Sequence, residues 1–416
     1  MRIKTRFSEE YMSAFTVYGG VPLIGDVTVS GSKNAALPIL LATLVTRGVS
    51  VIHRVPDIGD VRCVTEILSA YGADVMRDGG TLTVDTRELH YAEPSDICSS
   101  IRASTYLIGA SLGRFGRFRL SRFGGCSFSP RPIDLHILAA ETLGAQLSGD
   151  LLCGNLSGAE IRFPIASVGA TVNTLIMASV ADGRTVIRGF AREPHVLALA
   201  DFLTSAGASI NFFDDAIVVE GRELVGGNIS VIGDMIEAGS YLSAALVTGG
   251  SVTAHGVSHT ELSAYLDAVS EIGASVTLDL DAVTVSRPSF HRQTRITAAP
   301  YPAFPTDLQP ILAATMAALS GGEIVDTVFP ARFGYLDSLA ALGVVSSRSD
   351  GRAFVYPSRP VSAVTSAPDL RGGMACILTA LAARGISRIE NADIILRGYE
   401  TPMEKLRSLG ARIDLY

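Results

Sequence analysis

Val61-Arg62-Cys63-Val64-Thr65-Glu66-Ile67-Leu68-Ser69-Ala70-Tyr71-Gly72-Ala73-Asp74-Val75-Met76 sets apolar residues at 61, 64, 67 and 68, a helical period, and then turns at glycine into a short apolar strand. The same ending returns at Leu143-Gly144-Ala145, Ala206-Gly207-Ala208, Ile272-Gly273-Ala274, Leu342-Gly343-Val344 and Leu409-Gly410-Ala411. These glycines lie 72, 63, 66, 70 and 67 residues apart. A second series, out of phase with the first, closes an apolar helix at Gly48, Gly116, Gly183, Gly249, Gly321 and Gly385, at intervals of 68, 67, 66, 72 and 64. Glycine just past a helix accepts the left-handed backbone that satisfies the last carbonyls. Two interleaved series of six predict six copies of one βαβαββ unit.

The first unit shows the plan. Residues 25–30 alternate as a strand, 35–46 form an apolar helix, 49–52 a strand, 60–71 the amphipathic helix, and 73–76 with 82–84 a hairpin. The corresponding first helices over 170–181, 238–247, 308–319 and 374–383 are also almost wholly apolar. A helix apolar all round belongs inside a fold. The expectation is an α/β protein turned inside out, with buried helices and outer sheets. Its 416 residues suit two domains of three units each, facing each other across a cleft.

Composition narrows the function classes. Hydrophobic content of 48% with 18% charged residues describes a well-packed globular chain. The longest uncharged apolar run, 35–45, is too short to span a bilayer, and the charged first ten residues do not read as a signal peptide. Five widely spaced cysteines without a Cys-x-x-Cys pair suit reduced thiols in a cytoplasm. A net charge of −7 argues against non-specific nucleic-acid binding, so an anionic ligand needs a local cationic cluster. The seven histidines lack metal-ligand spacing, and no Gly-x-Gly-x-x-Gly, Walker or Gly-x-Ser-x-Gly motif is present. No metal is expected, and chemistry falls to Cys, Asp, Lys and Arg.

The strand before each buried helix delivers a loop to that helix's N-terminus, where free N–H groups attract anions. Polar residues gather at these six loops: Ser32-Lys33-Asn34, Gly124-Gly125-Cys126 running to Arg131, Ser167-Val168-Gly169, Asp234 with Glu237, Pro305-Thr306-Asp307, and Asp369-Leu370-Arg371. Arg102, Arg332 and Arg397 sit nearby in the plan of the repeat. One arginine in a loop is ordinary surface charge, but five and a lysine at equivalent ends of different units follow the repeat. A lone cysteine is most often a small buried hydrophobe. Cys126, flanked by glycines and followed by Arg131, instead stands where a neighbouring cation would lower its pKa and make it acid or nucleophile. Asp307, between Pro305 and a buried helix, is either a helix cap or a working carboxylate.

On these residues the chain resembles the enolpyruvyltransferases, most closely the UDP-N-acetylglucosamine 1-carboxyvinyltransferase type. The stretches that carry the likeness are Gly31-Ser32-Lys33-Asn34-Ala35-Ala36-Leu37-Pro38, Gly124-Gly125-Cys126 with Arg131-Pro132-Ile133-Asp134-Leu135-His136, Ser167-Val168-Gly169-Ala170-Thr171-Val172, Phe304-Pro305-Thr306-Asp307-Leu308-Gln309, and Arg397-Gly398-Tyr399-Glu400. The resemblance implies domains over 33–232 and over 12–32 plus 233–416, with the N-terminal strand completing the second and the active site between them. It implies transfer of enolpyruvate from phosphoenolpyruvate to the 3-hydroxyl of the amino sugar, without a cofactor. By position, Cys126 would be the general acid and Asp307 would take the hydroxyl proton. Lys33, Arg131 and Arg397 would hold the phosphate and carboxylate of phosphoenolpyruvate, with Arg102, Arg332 and Arg371 nearby. Asn34 would contact the sugar, Ser167-Val168-Gly169 the diphosphate, and Pro132, Asp134, Leu135 and Val328 the uridine.

The chain also departs from the family's pattern. Arg122-Phe123 stands where Leu-Pro is usual, Ser129 where glycine is common, Met235 where an arginine often follows the aspartate, and His195 where glutamate is frequent. Phe163-Pro164-Ile165-Ala166 lacks the basic residue usual before Ser-Val-Gly. Donor-site residues are intact, while several acceptor-side residues differ. They keep in view an enolpyruvyltransferase for another uridine nucleotide, such as UMP, and a catalytically silent homologue that binds UDP-sugars.

Overall fold

The structure, a computed structural model, describes residues 13–121, 123–124, 131–287 and 289–416. Six helices in it are buried along most of their length: Lys33–Ala42, Leu107–Phe115, Val168–Ala178, Met235–Thr248, Gln309–Ala318 and Leu370–Ala382. Each is the inner helix of one unit, numbered here one to six. Six amphipathic helices lie outside them, at Gly59–Ala70, Asp134–Thr142, Pro194–Ser205, Ser263–Ile272, Tyr335–Ala341 and Pro402–Ser408. The six glycines that close these outer helices all have positive φ, as do five of the six that follow inner helices. Gly48 is the exception. Its role is close approach, since a Cβ there would meet the Gly226 amide nitrogen at 2.7 Å.

The described strands form five four-stranded sheets and one three-stranded sheet. In units three, five and six the strand entering the inner helix pairs in parallel with the strand leaving it: Glu160–Arg162 with Arg184–Arg188, Thr294–Ala298 with Gly322–Asp326, and Val364–Ser366 with Gly385–Glu390. Units one and four exchange these entering strands. Ile24–Thr28 pairs with Ser251–His255 of unit four, and Asn228–Ser230 pairs with Val49–His53 of unit one. Unit two departs from the predicted repeat. Short 3₁₀ turns at Asp96–Ser99 and Arg102–Tyr106 occupy the place of its entering strand, so its sheet has three strands. The N-terminal strand Ala14–Gly19 lies antiparallel between Gly385–Glu390 and Arg412–Leu415.

Two hydrophobic cores result. One gathers residues from Ala35 to Val231; the other takes Phe15 to Val29 and Ile236 to Ile413. The chain passes between them twice, and the two passages touch. Gly31 bridges Gly233, Ser32 N–H donates to the Ile232 carbonyl at 2.7 Å, and Asp234 N–H donates to the Ser30 carbonyl at 3.0 Å. Both glycines are required by crowding: a Cβ on Gly31 would sit 1.8 Å from the Arg54 carbonyl oxygen, and one on Gly233 2.1 Å from that of Gly256. No described helix is long and apolar enough to cross a membrane.

Candidate active site

All six inner helices begin at one cavity of about 650 Å³ between the two cores. Helix one contributes Lys33 and Asn34, and helix three contributes Ser167, Val168 and Gly169. Arg102 comes from the turn before helix two, Asp307 from the turn that opens helix five, and Arg371 from the first turn of helix six. Arg131, Pro132, Asp134 and Leu135 enter with the start of the second outer helix, Val328 and Arg332 from the loop after the Gly322–Asp326 strand, and Arg397 from the segment before the last outer helix. Each of these sequence-predicted residues therefore lines one space. Cys126 and the rest of 125–130 lie outside the described residues.

The helix starts follow from local chemistry. Ser167 caps helix three by accepting from Ala170 N–H at 3.3 Å. Asp234 caps helix four through Ile236 and Glu237 N–H, at 2.8 and 3.1 Å, and its other oxygen accepts from Lys33 N–H at 3.1 Å. Asp369 caps helix six through Arg371 and Gly372 N–H, at 2.9 and 3.0 Å. Asp307 caps nothing. Of its two expected roles, the cap is ruled out by its partners: Oδ1 meets Arg332 Nη1 at 2.8 Å and Oδ2 meets Arg371 Nη2 at 3.2 Å.

A second carboxylate organises the other side. Asp60 was not among the predicted site residues, because in sequence it reads only as the first-turn acid of the outer helix Gly59–Ala70. It is buried, with Lys33 Nζ at 2.7 Å on one oxygen and Arg397 Nε at 2.8 Å on the other. Arg397 Nη2 also donates to the Ser100 carbonyl at 3.1 Å, and Asp60 N–H to the Arg397 carbonyl at 3.3 Å. Arg397 belongs to the sixth unit and Asp60 to the first, so this pair spans the cleft. Charge division between the halves would set two positive clusters face to face; the structure replaces that repulsion with an ion pair. Burial pushes the carboxyl pKa of Asp60 up, but Lys33 and Arg397 outweigh it and hold it below the usual range. Burial acts likewise on Asp307, where Arg332 and Arg371 win by a wider margin and hold the group fully ionised.

Further contacts shape the walls. Arg102 Nη2 donates to the Arg131 carbonyl at 2.6 Å, and the Arg131 guanidinium lies 5.0 Å from the Phe329 ring centre, again across the cleft. Asp326 accepts from Val328 and Phe329 N–H at 2.9 and 2.7 Å and from the Thr306 hydroxyl at 2.6 Å, tying the Val328 wall to the Asp307 turn. His136, Glu193, Glu261 and Tyr301 line the cavity too and were not expected there from sequence. His195, noted in sequence only as a departure, is buried on the same wall. Of the other cysteines, Cys98 and Cys376 are buried and Cys63 half-buried, while Cys153 is exposed on a short outer strand rather than packed. No group of described residues would hold a metal ion.

This arrangement can take up a multiply charged anion. Six cations and six helix starts face one space, and the carboxylates of Asp60 and Asp307 hold four of those cations in place until a ligand's oxygens compete for them. Comparison with known proteins identifies relatives over nearly the whole chain. A family model described as EPSP synthase (3-phosphoshikimate 1-carboxyvinyltransferase) matches residues 17–406. UDP-N-acetylglucosamine 1-carboxyvinyltransferases of Prosthecochloris aestuarii and Chloroherpeton thalassium are 39% and 40% identical, over 97% of this chain and 98% and 97% of theirs. One from Streptococcus agalactiae is 38% identical over 97% of this chain and 99% of its own. The crystal structure of the enolpyruvyl transferase NikO from Streptomyces tendae superposes with a TM-score of 0.88 at 26% identity, covering 97% of this chain and 99% of that one. An EPSP synthase from Acinetobacter baumannii shares the fold, with a TM-score of 0.76 at 18% identity over 97% of this chain and 100% of that one. By the family model that it matches and by its full-length relatives, the chain belongs to the EPSP synthase family of carboxyvinyltransferases.

Proposed function

We propose that the protein transfers the enolpyruvyl group of phosphoenolpyruvate to the 3-hydroxyl of UDP-N-acetylglucosamine and releases phosphate, the first committed step of peptidoglycan synthesis, in the cytoplasm. The observation that carries the proposal is the convergence of six inner-helix starts and six cations on one cavity, in a chain whose full-length relatives bear that enzyme's name. Its two halves, 33–232 and 12–32 with 233–416, close around both substrates, and neither nucleic acid nor membrane takes part.

Lys33, Arg131 and Arg397 hold the phosphate and carboxylate of phosphoenolpyruvate, with Arg102, Arg332 and Arg371 completing the cationic wall. The diphosphate of the acceptor sits at the start of helix three, on Ser167, Val168 and Gly169. Asn34 meets the sugar, while Pro132, Asp134, Leu135 and Val328 flank the uridine. Cys126 gives a proton to the methylene carbon while the sugar hydroxyl oxygen bonds to C2 and its proton goes to Asp307. The tetrahedral ketal then gives a methyl proton back to the Cys126 thiolate as the C2–O bond to phosphate breaks, the double bond is restored, and the departing phosphate takes the proton held by Asp307. As Arg332 and Arg371 hold it, Asp307 is a weak base. When the phosphate and carboxylate of the donor take over those guanidinium groups, the stabilisation of its charged form falls and its basicity rises, so the base is switched on by the donor.

Phosphate release from phosphoenolpyruvate tests this, assayed with UDP-N-acetylglucosamine, UMP and shikimate 3-phosphate in parallel. Release with UDP-N-acetylglucosamine alone is expected. Release only with UMP would assign the protein to another uridine nucleotide, and release with none would leave a silent binding protein. Cys126→Asp should keep turnover, because a carboxylic acid can also donate the proton, and should lose alkylation by an epoxide phosphonate.

A further inference from the structure

His136 and Asn173, set beside Gly169, form a pair that none of the roles above uses. His136 lies in the second outer helix, Asp134–Thr142, and is 4% exposed; Asn173 lies inside the third inner helix and is fully buried. Gly109 N–H donates to Asn173 Oδ1 at 2.6 Å. A backbone N–H can only donate, so the oxygen of that amide is fixed, and the nitrogen must face the other way. That nitrogen donates to the Thr105 carbonyl at 3.0 Å and lies 2.6 Å from His136 Nδ1. An amide nitrogen has two hydrogens and accepts nothing, so Nδ1 is the acceptor and carries no proton. The ring proton therefore sits on Nε2.

The Nε2 edge faces the helix-three loop. A Cβ built on Gly169 would lie 2.9 Å from His136 Cε1 and 3.0 Å from Nε2, and both residues line the cavity. Gly169 is thus needed to let the imidazole reach the start of helix three, where backbone N–H groups already point outward. Burial pushes the imidazole pKa down to about 4, the Arg102 charge adds to this, and Asp134 opposes it. The ring is therefore uncharged near neutral pH.

We propose that His136 is a specificity residue held as the Nε2–H tautomer by Asn173, and that it donates this hydrogen bond to the diphosphate of the nucleotide acceptor. The assignment rests on the placing of a nucleoside diphosphate at Ser167-Val168-Gly169. A neutral donor suits this position: it adds a directed hydrogen bond to the helix N–H groups without adding to the charge of the neighbouring arginines. It favours ligands with a diphosphate over the bare nucleoside.

Two variants separate this role from simple bracing. His136→Gln can set an amide nitrogen where Nε2 lies but loses the acceptor at Nδ1; His136→Asn can keep the acceptor at Nδ1 and loses the Nε2 donor. Calorimetry with UDP-N-acetylglucosamine, UDP and uridine should show His136→Asn weakening the first two about tenfold, the loss of one hydrogen bond to a charged group, with uridine unchanged. His136→Gln should bind both diphosphates within about threefold of wild type even if it melts lower. Equal loss across all three ligands, or tight UDP binding by His136→Asn, would overturn the proposal. Nitrogen-15 spectra of the ligand-free protein should show a protonated Nε2 and a bare Nδ1, and the reverse assignment would also overturn it. Wild type that binds UDP but releases no phosphate with UDP-N-acetylglucosamine would refute the proposed acceptor, while His136 is still judged on the UDP arm. Wild type that does not bind UDP refutes the His136 role.

Discussion

Asp307 divides its oxygens between two guanidinium groups that are 3% and 2% exposed, while it keeps 29% of its own side chain open to the cavity. Removing it takes a counter-charge from two buried cations, so Asp307→Ala should cost on the order of 3 kcal/mol, well above the loss of a helix cap. Its kcat should fall at least about a hundredfold, the lower range for a general base. Inorganic phosphate should raise the melting temperature of this variant more than that of wild type, because it can replace the missing carboxylate. A variant that melts like wild type would show that the two arginines do not depend on Asp307. His136 supplies a pH prediction. Its folded pKa of about 4 lies below the ordinary 6.5, so the unfolded chain binds the extra proton between those values. Its contribution, about 3 kcal/mol from the size of that shift, is complete above pH 6.5 and is lost as pH falls to 4. In thermal melts, His136→Gln should lose less stability than wild type across that window, and parallel curves would refute the assignment.

At the scale of elements, the first turn of each inner helix is where structure and chemistry coincide. Apolar runs in the sequence place helix starts at 35, 170, 238 and 374, whereas the helices begin at Lys33, Val168, Met235 and Leu370. The missed turn carries Lys33, Asn34, Gly169 and Arg371, polar or small residues that break the apolar pattern because they face the cavity. Repeat and helix type were legible because glycine spacing and apolar periodicity are local. Asp60 was not, since its role depends on a pairing 337 residues away. His136 and Asn173 were equally silent, as one amide orientation decides them. The lost strand of unit two had no sequence marker, and 3₁₀ turns there bring Arg102 to the cleft. The aspartate caps give a test at this scale. Asp369→Ala should cost about 0.5–2 kcal/mol as a lost N-cap. It should also weaken phosphoenolpyruvate binding, because Arg371 is the second residue of the helix that Asp369 caps. Weaker binding without any change in melting temperature would contradict a cap that positions Arg371.

At the scale of the molecule, units one and four exchange their entering strands, so the halves are joined by two adjacent passages rather than one linker. Residues 397–400 clasp residues 57–60 of the other half beside those passages. Arg397 holds Asp60, and Glu400 accepts from Asp57 N–H at 2.7 Å and from the Ser30 hydroxyl in the passage itself. Lys405 Nζ adds contacts to the Ser30 hydroxyl at 2.6 Å and to buried Glu237 at 2.7 Å. Asp60 lies between Lys33 and Arg397 and lets them approach, the part that the proposed function gives to the donor's anionic groups once they bind. Asp60→Ala removes that negative charge and leaves two cations facing each other across the cleft. Scattering should show a larger radius of gyration for ligand-free Asp60→Ala than for wild type, and larger still when Glu400→Gln is added. Phosphoenolpyruvate with UDP-N-acetylglucosamine should return the Asp60→Ala variant to the wild-type radius, because the donor's phosphate and carboxylate restore the bridging charge, and a ligand shifts the equilibrium only through its preference for the closed form. The effect should shrink as salt rises and screens the repulsion. An unchanged radius in ligand-free Asp60→Ala at low salt would mean that packing alone keeps the halves together, and that the carboxylate pair across the cleft does not govern closure.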